Sequence, residues 1–247
     1  MMIVRDIMTT KLVTVEPDDT LAHAANLLRQ HQIHQLPVTR KVNISRPQHK
    51  EYQTRDTTLL FEGLLTSQDI DLAVALARQD SSSEVLRRPW QERHIIEVMH
   101  RAILRVTPTT SIAAAAQLLV QRGLNSLPVV EYNQVDQETR TILIGLLTRS
   151  DLLLALARSM GAFEPGMQLE IALPLGILTP LAETLRLAAE LHVQIRSIIA
   201  APLTEGVPLA VTIRLGTINP TPLLVRLQEM GIQYSLMDPP IDGETYA

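Results

Sequence analysis

The chain repeats itself, and this limits its fold more than any other property. Met8, Pro17, Thr20 and Leu36-Pro37-Val38 are matched by Met99, Pro108, Ser111 and Leu127-Pro128-Val129, each 91 positions later. The spacing then falls to 82: Gly63-Leu64-Leu65-Thr66 with Asp69 is matched by Gly145-Leu146-Leu147-Thr148 with Asp151. The first copy therefore holds nine extra residues (91 − 82) between Val38 and Gly63. Recurrence at a fixed spacing marks a duplicated supersecondary unit whose apolar face is buried against its neighbour.

Each copy reads as β-α-β-β-α. A short strand ends near Val15 or Val106, and Pro17 or Pro108 marks a turn. Thr20 or Ser111 suits the N-cap of the next helix, because its hydroxyl can accept from a free backbone N–H. That helix runs to about His31 or Arg122, with Leu21, Ala24, Leu27 and Leu28 as the apolar stripe of the first copy. Strands follow at about residues 36–39 and 59–65. A second apolar helix closes each copy, at about 70–77 and 152–160. Residues 40–56 are polar and carry Arg40, Lys41, Arg46, Lys50 and Arg55. They read as a hairpin loop or as a basic flap over an anionic ligand.

Composition narrows the class. Hydrophobic residues make up 46% and aromatic residues only 3%, so the core must be aliphatic. A net charge of −4 gives no overall attraction to nucleic acid or to anionic lipid, and neither partner is expected. The absence of cysteine excludes thiolate nucleophiles and Cys-ligated zinc, and the seven histidines lack metal-site spacing, so no metal is expected. No secretory leader pattern and no run of about 18 apolar residues is present, which makes a cytoplasmic protein the expectation.

The stretches Gly63–Asp69 and Gly145–Asp151 sit at strand-to-helix junctions. Free N–H groups and the positive helix end favour an anion there. A Thr hydroxyl can donate to phosphate, and an ionised Asp, being acceptor-only, suits a ribose diol. Thr-x-x-Asp before an apolar helix is also a variant of the capping box, which only closes the helix N-terminus.

Doubled Gly-Leu-Leu-Thr-x-x-Asp downstream of doubled Leu-Pro-Val resembles the CBS motif pair, the Bateman module, over about residues 1–160. The resemblance implies two pseudosymmetric clefts for adenine nucleotides. Ribose would lie at Asp69 and Asp151, and phosphate near Thr66, Thr148 and Ser150. Adenine would lie against Leu12, Val13 and Ile33, or against Ile103, Leu104 and Leu124. The position before x-Leu-Pro-Val is His34 in one copy and Asn125 in the other. His34 and Arg149 are the candidates for phosphate charge. AMP or ADP is favoured because little fixed positive charge adjoins Thr66 and Thr148. ATP and S-adenosylmethionine remain open, since they share the adenosine part.

Residues 161–166 read as a linker, and a new pattern follows. Strands are expected at 168–173, 195–200, 209–215 and 232–236. Helices are expected at 178–191, with Leu181, Leu185, Ala188 and Leu191 on one face, and at 222–230, stopped by Gly231. This β-α-β-β-α-β order is ferredoxin-like. After a CBS pair it resembles an ACT domain, and the whole resembles acetoin-utilisation proteins of the AcuB type. The resemblance implies an amino-acid site near Gly176, Ile177 and Leu178, although the acidic or amide residue usual before Pro-Gly is missing.

The expected fold class is α+β: CBS motifs at 1–80 and 81–160, the linker, an ACT-like domain at 167–238 and a tail at 239–247. The expected function is regulatory sensing of an adenine nucleotide, transmitted to the ACT-like domain or to a protein partner that the sequence does not name. The alternative is an amino-acid sensor with the CBS pair as scaffold. An enzyme is not expected: no G-x-S-x-G, phosphate loop or G-x-G-x-x-G is present. A homodimer is expected, because Leu72, Val74, Leu76 and Leu152, Leu153, Leu154, Leu156 make the closing helices apolar on more than one face.

Overall fold

A computed structural model of the protein describes residues 2–43, 57–79, 89–101, 103–135, 138–200 and 209–237. Most of the basic 40–56 segment and the 239–247 tail lie outside these residues. The chain forms two compact units, Met1–Leu152 and Leu153–Ala247.

In the first unit the duplicated helices are α1 (Leu21–Gln30) and α3 (Ile112–Gln121). Their expected caps are in place. Thr20 Oγ1 accepts from the His23 N–H and Ser111 Oγ from the Ala114 N–H, both at 3.2 Å. Leu21, Ala24 and Leu28 of α1 are buried. Each helix is followed by a hairpin: β1 (Gln35–Asn43) with β2 (Thr57–Thr66), and β3 (Ser126–Val135) with β4 (Glu138–Thr148). The four strands form one antiparallel sheet in the order β1-β2-β4-β3, with Leu60 opposite Ile142 at the junction of the copies. Both hairpins bulge at the same repeat position, between Val38 and Thr39 and between Val129 and Val130.

The expected strands ending at Val15 and Val106 shrink to single parallel bridges, with Val38 and Val129. Proline is the cause. The Val15 N–H donates to Pro37 O at 3.1 Å, and Val15 O accepts from the Thr39 N–H at 2.8 Å. One step further in either direction, the ladder needs an N–H from Pro37 or from Pro17, and neither has one. Pro128 and Pro108 stop the second copy in the same way.

The segment leading into each copy packs on the other copy. Val4 belongs to a core with Val106, Leu119, Leu127 and Leu147 of the second copy, with Ile7 and Met8 against it. Ile95 and Met99 belong to a core with Leu21, Leu28, Leu36 and Leu65 of the first. Matching hydrogen bonds fix the exchange. The Val4 and Arg5 N–H groups donate to Thr110 O and Pro108 O, and the Ile95 and Ile96 N–H groups to Asp19 O and Pro17 O, all at 2.9–3.0 Å. Further along, Thr9 and Leu146 exchange both backbone hydrogen bonds at 2.9 Å, as do His100 and Leu64. The two motif glycines allow this approach. A Cβ on Gly63 would lie 2.5 Å from His100 O, and one on Gly145 would lie 2.6 Å from Met8 Sδ.

In the second unit, β5 (Met167–Ala172), α5 (Thr179–Glu190), β6 (Ile195–Ile199), β7 (Ala210–Leu215), α6 (Thr221–Glu229) and β8 (Tyr234–Met237) follow the expected β-α-β-β-α-β order. The sheet is antiparallel, ordered β6-β7-β5-β8. Leu169, Ile171, Val211, Ile213 and Leu215 pack with Leu187, Leu223 and Leu227 of the helices. The buried stripe of α5 is rotated from the expected one. Thr184, Leu187 and Ala188 are buried, Leu185 is half-buried and Leu191 is exposed. Thr184 can occupy the core because its hydroxyl donates to Pro180 O at 2.7 Å, which leaves no unpaired polar group inside. The chain is thus a mixed α+β protein with two antiparallel sheets.

Candidate functional site

The site starts at the junctions where β2 and β4 turn into α2 (Ser67–Gln79) and α4 (Arg149–Ser159). At the first junction the Thr66 N–H and Oγ1–H donate to Asp69 Oδ2 at 2.8 and 2.7 Å, and the Asp69 N–H donates to Thr66 Oγ1 at 3.3 Å. Thr148 and Asp151 make the same three bonds at 2.8, 2.8 and 3.1 Å. Both junctions are therefore closed capping boxes. Each Thr hydroxyl both donates and accepts inside its box, and each Asp spends one oxygen on it.

The other Asp oxygen meets the lead of the opposite copy. His100 Nε2 lies 2.8 Å from Asp69 Oδ1, and Thr9 Oγ1 donates to Asp151 Oδ1 at 3.3 Å. Thr9 and His100 are 91 positions apart, so they are repeat equivalents. Sequence reasoning missed both. The available signal was their place directly after the matched Met8 and Met99.

Two clefts open beside these junctions. One, of about 560 Å³, gathers Leu12, Val13, Ile33 and His34 of the first copy with Asn125, Thr148, Arg149 and Ser150 of the second. The other, of about 600 Å³, gathers Ile103, Leu104, Leu124 and Asn125 of the second copy with His34 and Thr66 of the first. Each cleft thus joins the aliphatic residues of one copy to the helix N-terminus of the other. Asp151 and Asp69 stand behind Thr148 and Thr66, bonded to residues of the walls. His34 and Asn125 line both clefts, as do Gln35 and Ser126. The Gln35 side-chain oxygen accepts from the Ser126 hydroxyl, joining two equivalent positions where the copies meet.

The walls also carry charge that the motifs do not contain. The Thr148 cleft includes Lys11 as well as Arg149, whose Nε donates to Leu124 O at 2.7 Å. That bond fixes one edge of the guanidinium at the wall. The Thr66 cleft includes Arg122 and His100, with Ser67 and Gln68 at the positions of Arg149 and Ser150. No Asp or Glu lines either cleft among the described residues. The expectation of little fixed charge near Thr148 is thereby corrected. Lys11 is remote in sequence and arrives only through the exchanged lead.

In the second unit, Pro174–Gly176 forms a 3-10 turn with Leu175 and Gly176 in the left-handed region, at φ 56° and 75°. Ile177 lines a cavity of about 480 Å³ with Thr179, Glu183 and residues 230–233. Gly176 and Leu178 are not part of its wall. No helix among the described residues is long and apolar enough to cross a membrane.

Exchanged leads, doubled hairpins and paired clefts define a tandem module built from two copies of one unit. Residues 4–43 and 95–158, one stretch in each copy of the repeat, match the CBS domain family. The CBS domain-containing protein YhcV of Bacillus subtilis (strain 168) is 28% identical over 149 residues, covering 60% of this chain and 81% of that protein. Among solved structures, the acetoin utilization protein AcuB from Vibrio cholerae is similar at 26% identity, covering 67% of this chain and 99% of that one, with a TM-score of 0.45. CBSX2, from Arabidopsis thaliana, in complex with AMP is similar at 26% identity, covering 63% and 96%, with a TM-score of 0.42.

Proposed function

We propose that the protein is a cytoplasmic regulator that binds adenine nucleotides in the two clefts of its CBS pair and acts through binding, not catalysis. One observation carries the reading. Each cleft sets aliphatic side chains from one copy against a helix N-terminus of the other, with cationic side chains in its wall and, among the described residues, no carboxylate in its lining. Aliphatic walls suit a purine, and oriented N–H groups with Lys or Arg suit phosphate. Asp69 and Asp151, whose second oxygens meet His100 and Thr9 behind the cleft walls, are the groups assigned to ribose hydroxyls, which would take the place of those contacts. AMP or ADP is the favoured ligand where fixed cations are fewer, at the Thr66 cleft.

A ligand that bridges two copies changes the balance between arrangements only if it binds one of them better. The ligand state is read by the second unit, taken as an ACT-like domain at 167–238 after a 161–166 linker, or by a protein partner. Pairing into a homodimer would cover Leu72, Leu76, Leu153 and Leu156, all at least 49% exposed. A second reading rests on the cavity beside Ile177. Its Glu183 carboxylate gives an amino-acid ammonium a partner, which fits an amino-acid sensor with the CBS pair as scaffold.

A thermal-shift screen of AMP, ADP, ATP, S-adenosylmethionine and the amino acids tests both readings. A ligand at 100 times its Kd adds about 2.7 kcal/mol, or roughly 5–11 °C for a chain of this size. A nucleotide shift that Asp69→Ala or Asp151→Ala removes supports the first reading. An amino-acid shift that survives both changes, with no nucleotide shift, replaces it with the second.

A further inference from the structure

The two clefts share a frame but not a charge. At the repeat positions facing them, Thr9 stands against His100, Arg149 against Ser67, Ser150 against Gln68 and His34 against Asn125. The Thr148 cleft holds two permanent cations, Lys11 and Arg149, and its carboxylate is met by a neutral hydroxyl. Among the described residues the Thr66 cleft holds one permanent cation, Arg122, and the carboxylate behind it is met by an imidazole.

We propose that the clefts are differentiated by charge: Lys11 and Arg149 make the Thr148 cleft select the more highly phosphorylated ligand, and protonation of His100 sets the affinity of the Thr66 cleft for the same anion. The inference rests on the adenine-nucleotide reading above and assigns a ligand preference to each cleft.

The chemistry follows from the donor sets. Lys and Arg stay charged throughout the physiological range, and phosphate charge accumulates from AMP to ATP, so two fixed cations reward each added phosphate. His100 is the variable group, because imidazole changes charge between about pH 5 and 8. Its side chain is 63% exposed, so a proton can reach it, and its Nε2 contacts Asp69 Oδ1 at 2.8 Å. Asp69, itself 13% exposed, is the acid in contact with it; Arg122 and His34 are the other cationic or titratable groups of the same wall. Protonating His100 turns a hydrogen bond between neutral imidazole and a carboxylate into an ion pair, and cancels the charge that would repel a phosphate. The anion then binds more tightly as pH falls. His34 lines both clefts and so does not distinguish them.

The experiment titrates AMP and ATP into the full chain by calorimetry at about pH 5.5 and about pH 8. It uses the wild type, His100→Thr, Thr9→His and Lys11→Ala/Arg149→Gln. The wild type should show two sites, one of which gains about tenfold more affinity than the other on acidification, the coupling expected of one charge nearby. His100→Thr should abolish that extra gain, and Thr9→His should give it to the other site. Lys11→Ala/Arg149→Gln should remove the preference for ATP over AMP at one site only. Two sites with equal pH response and equal phosphate preference would overturn the proposal and leave the nucleotide reading standing. Absence of nucleotide binding at both pH values would overturn both. If His100→Thr does not fold, the gain in Thr9→His decides the matter alone.

Discussion

The two copies of the repeat agree in the backbone by which they touch each other and differ in several side chains that face the clefts. Their leads cross with matching hydrogen bonds, their bulges fall at the same step and their capping boxes are alike. Cleft positions show no such agreement: Thr9 and His100, or Arg149 and Ser67, have different chemistry. Hydrogen bonds between copies hold the frame and tolerate little change. Side chains lining an open cleft cost the fold little when they change, so ligand recognition can diverge there.

The largest expected effect tests the exchange itself. Ile95 is fully buried in the core of the first copy although it lies beyond that copy in sequence. Ile95→Ala should cost about 2–5 kcal/mol in urea unfolding, the usual price of deleting a buried Ile side chain. Val4→Ala, in the core of the second copy, should cost about 1 kcal/mol less, because one methylene fewer is lost. Hydrogen exchange locates the damage: Ile95→Ala should deprotect α1 and β1, and Val4→Ala should deprotect α3 and β3. The reverse pattern would mean that each lead serves its own copy.

The motif glycines come next. A Cβ at Gly63 meets a backbone carbonyl, His100 O at 2.5 Å, which cannot move without breaking the paired strand. At Gly145 the nearest atom is the flexible Met8 Sδ, at 2.6 Å. Gly63→Ala should therefore cost about 2–3 kcal/mol, and Gly145→Ala about 1 kcal/mol. Equal losses in denaturant melts would show that the lead strands are held equally loosely in both copies.

A smaller effect belongs to the Asp residues. Asp69→Ala removes acceptors for the Thr66 N–H and hydroxyl and for His100, and Asp151→Ala does the same for Thr148 and Thr9. Each should cost about 1 kcal/mol without ligand, the usual worth of a helix cap. Asp69→Ala should cost the more of the two, because His100 lies 2.8 Å away and Thr9 3.3 Å. Thermal unfolding of the ligand-free variants checks this, and separates the capping role from any role in binding.

Much of this frame was legible in the sequence. Thr20 and Ser111 announced their caps, the hairpins followed from Leu-Pro-Val and Gly-Leu-Leu, and the β-α-β-β-α-β order of the second unit was readable from periodicity and breakers. The crossing of Val4 and Ile95 was not legible. A repeat says which residues are equivalent, but not which copy each packs on. Lys11, Arg122, Thr9 and His100 were missed for the same reason: the exchanged leads and the facing helices bring them to the clefts, and no local motif marks them. The stripe on α5 was misjudged because a buried Thr184 that satisfies its hydroxyl at Pro180 looks polar to a periodicity count.

The smallest effect distinguishes the two crossing turns. In one, Asp6 Oδ2 accepts from the Ile3 N–H at 2.9 Å; in the other, Glu97 accepts from the His94 N–H and also from Arg93 Nε, each at 3.1 Å. The His94 N–H, and then the Arg93 guanidinium, hold the Glu97 carboxyl below its ordinary value, against a smaller opposing effect of burial. A carboxyl depressed in the folded state adds stability that is complete above its unfolded pKa and is lost as pH falls through the folded one. The Glu97 side chain is 38% exposed, so solvent screening limits the contribution to less than about 0.5 kcal/mol. Glu97→Gln should lower the urea midpoint slightly at neutral pH and converge with the wild type toward about pH 3. A constant gap down to that pH would assign the loss to packing and not to charge, and the two turns would then differ in shape alone.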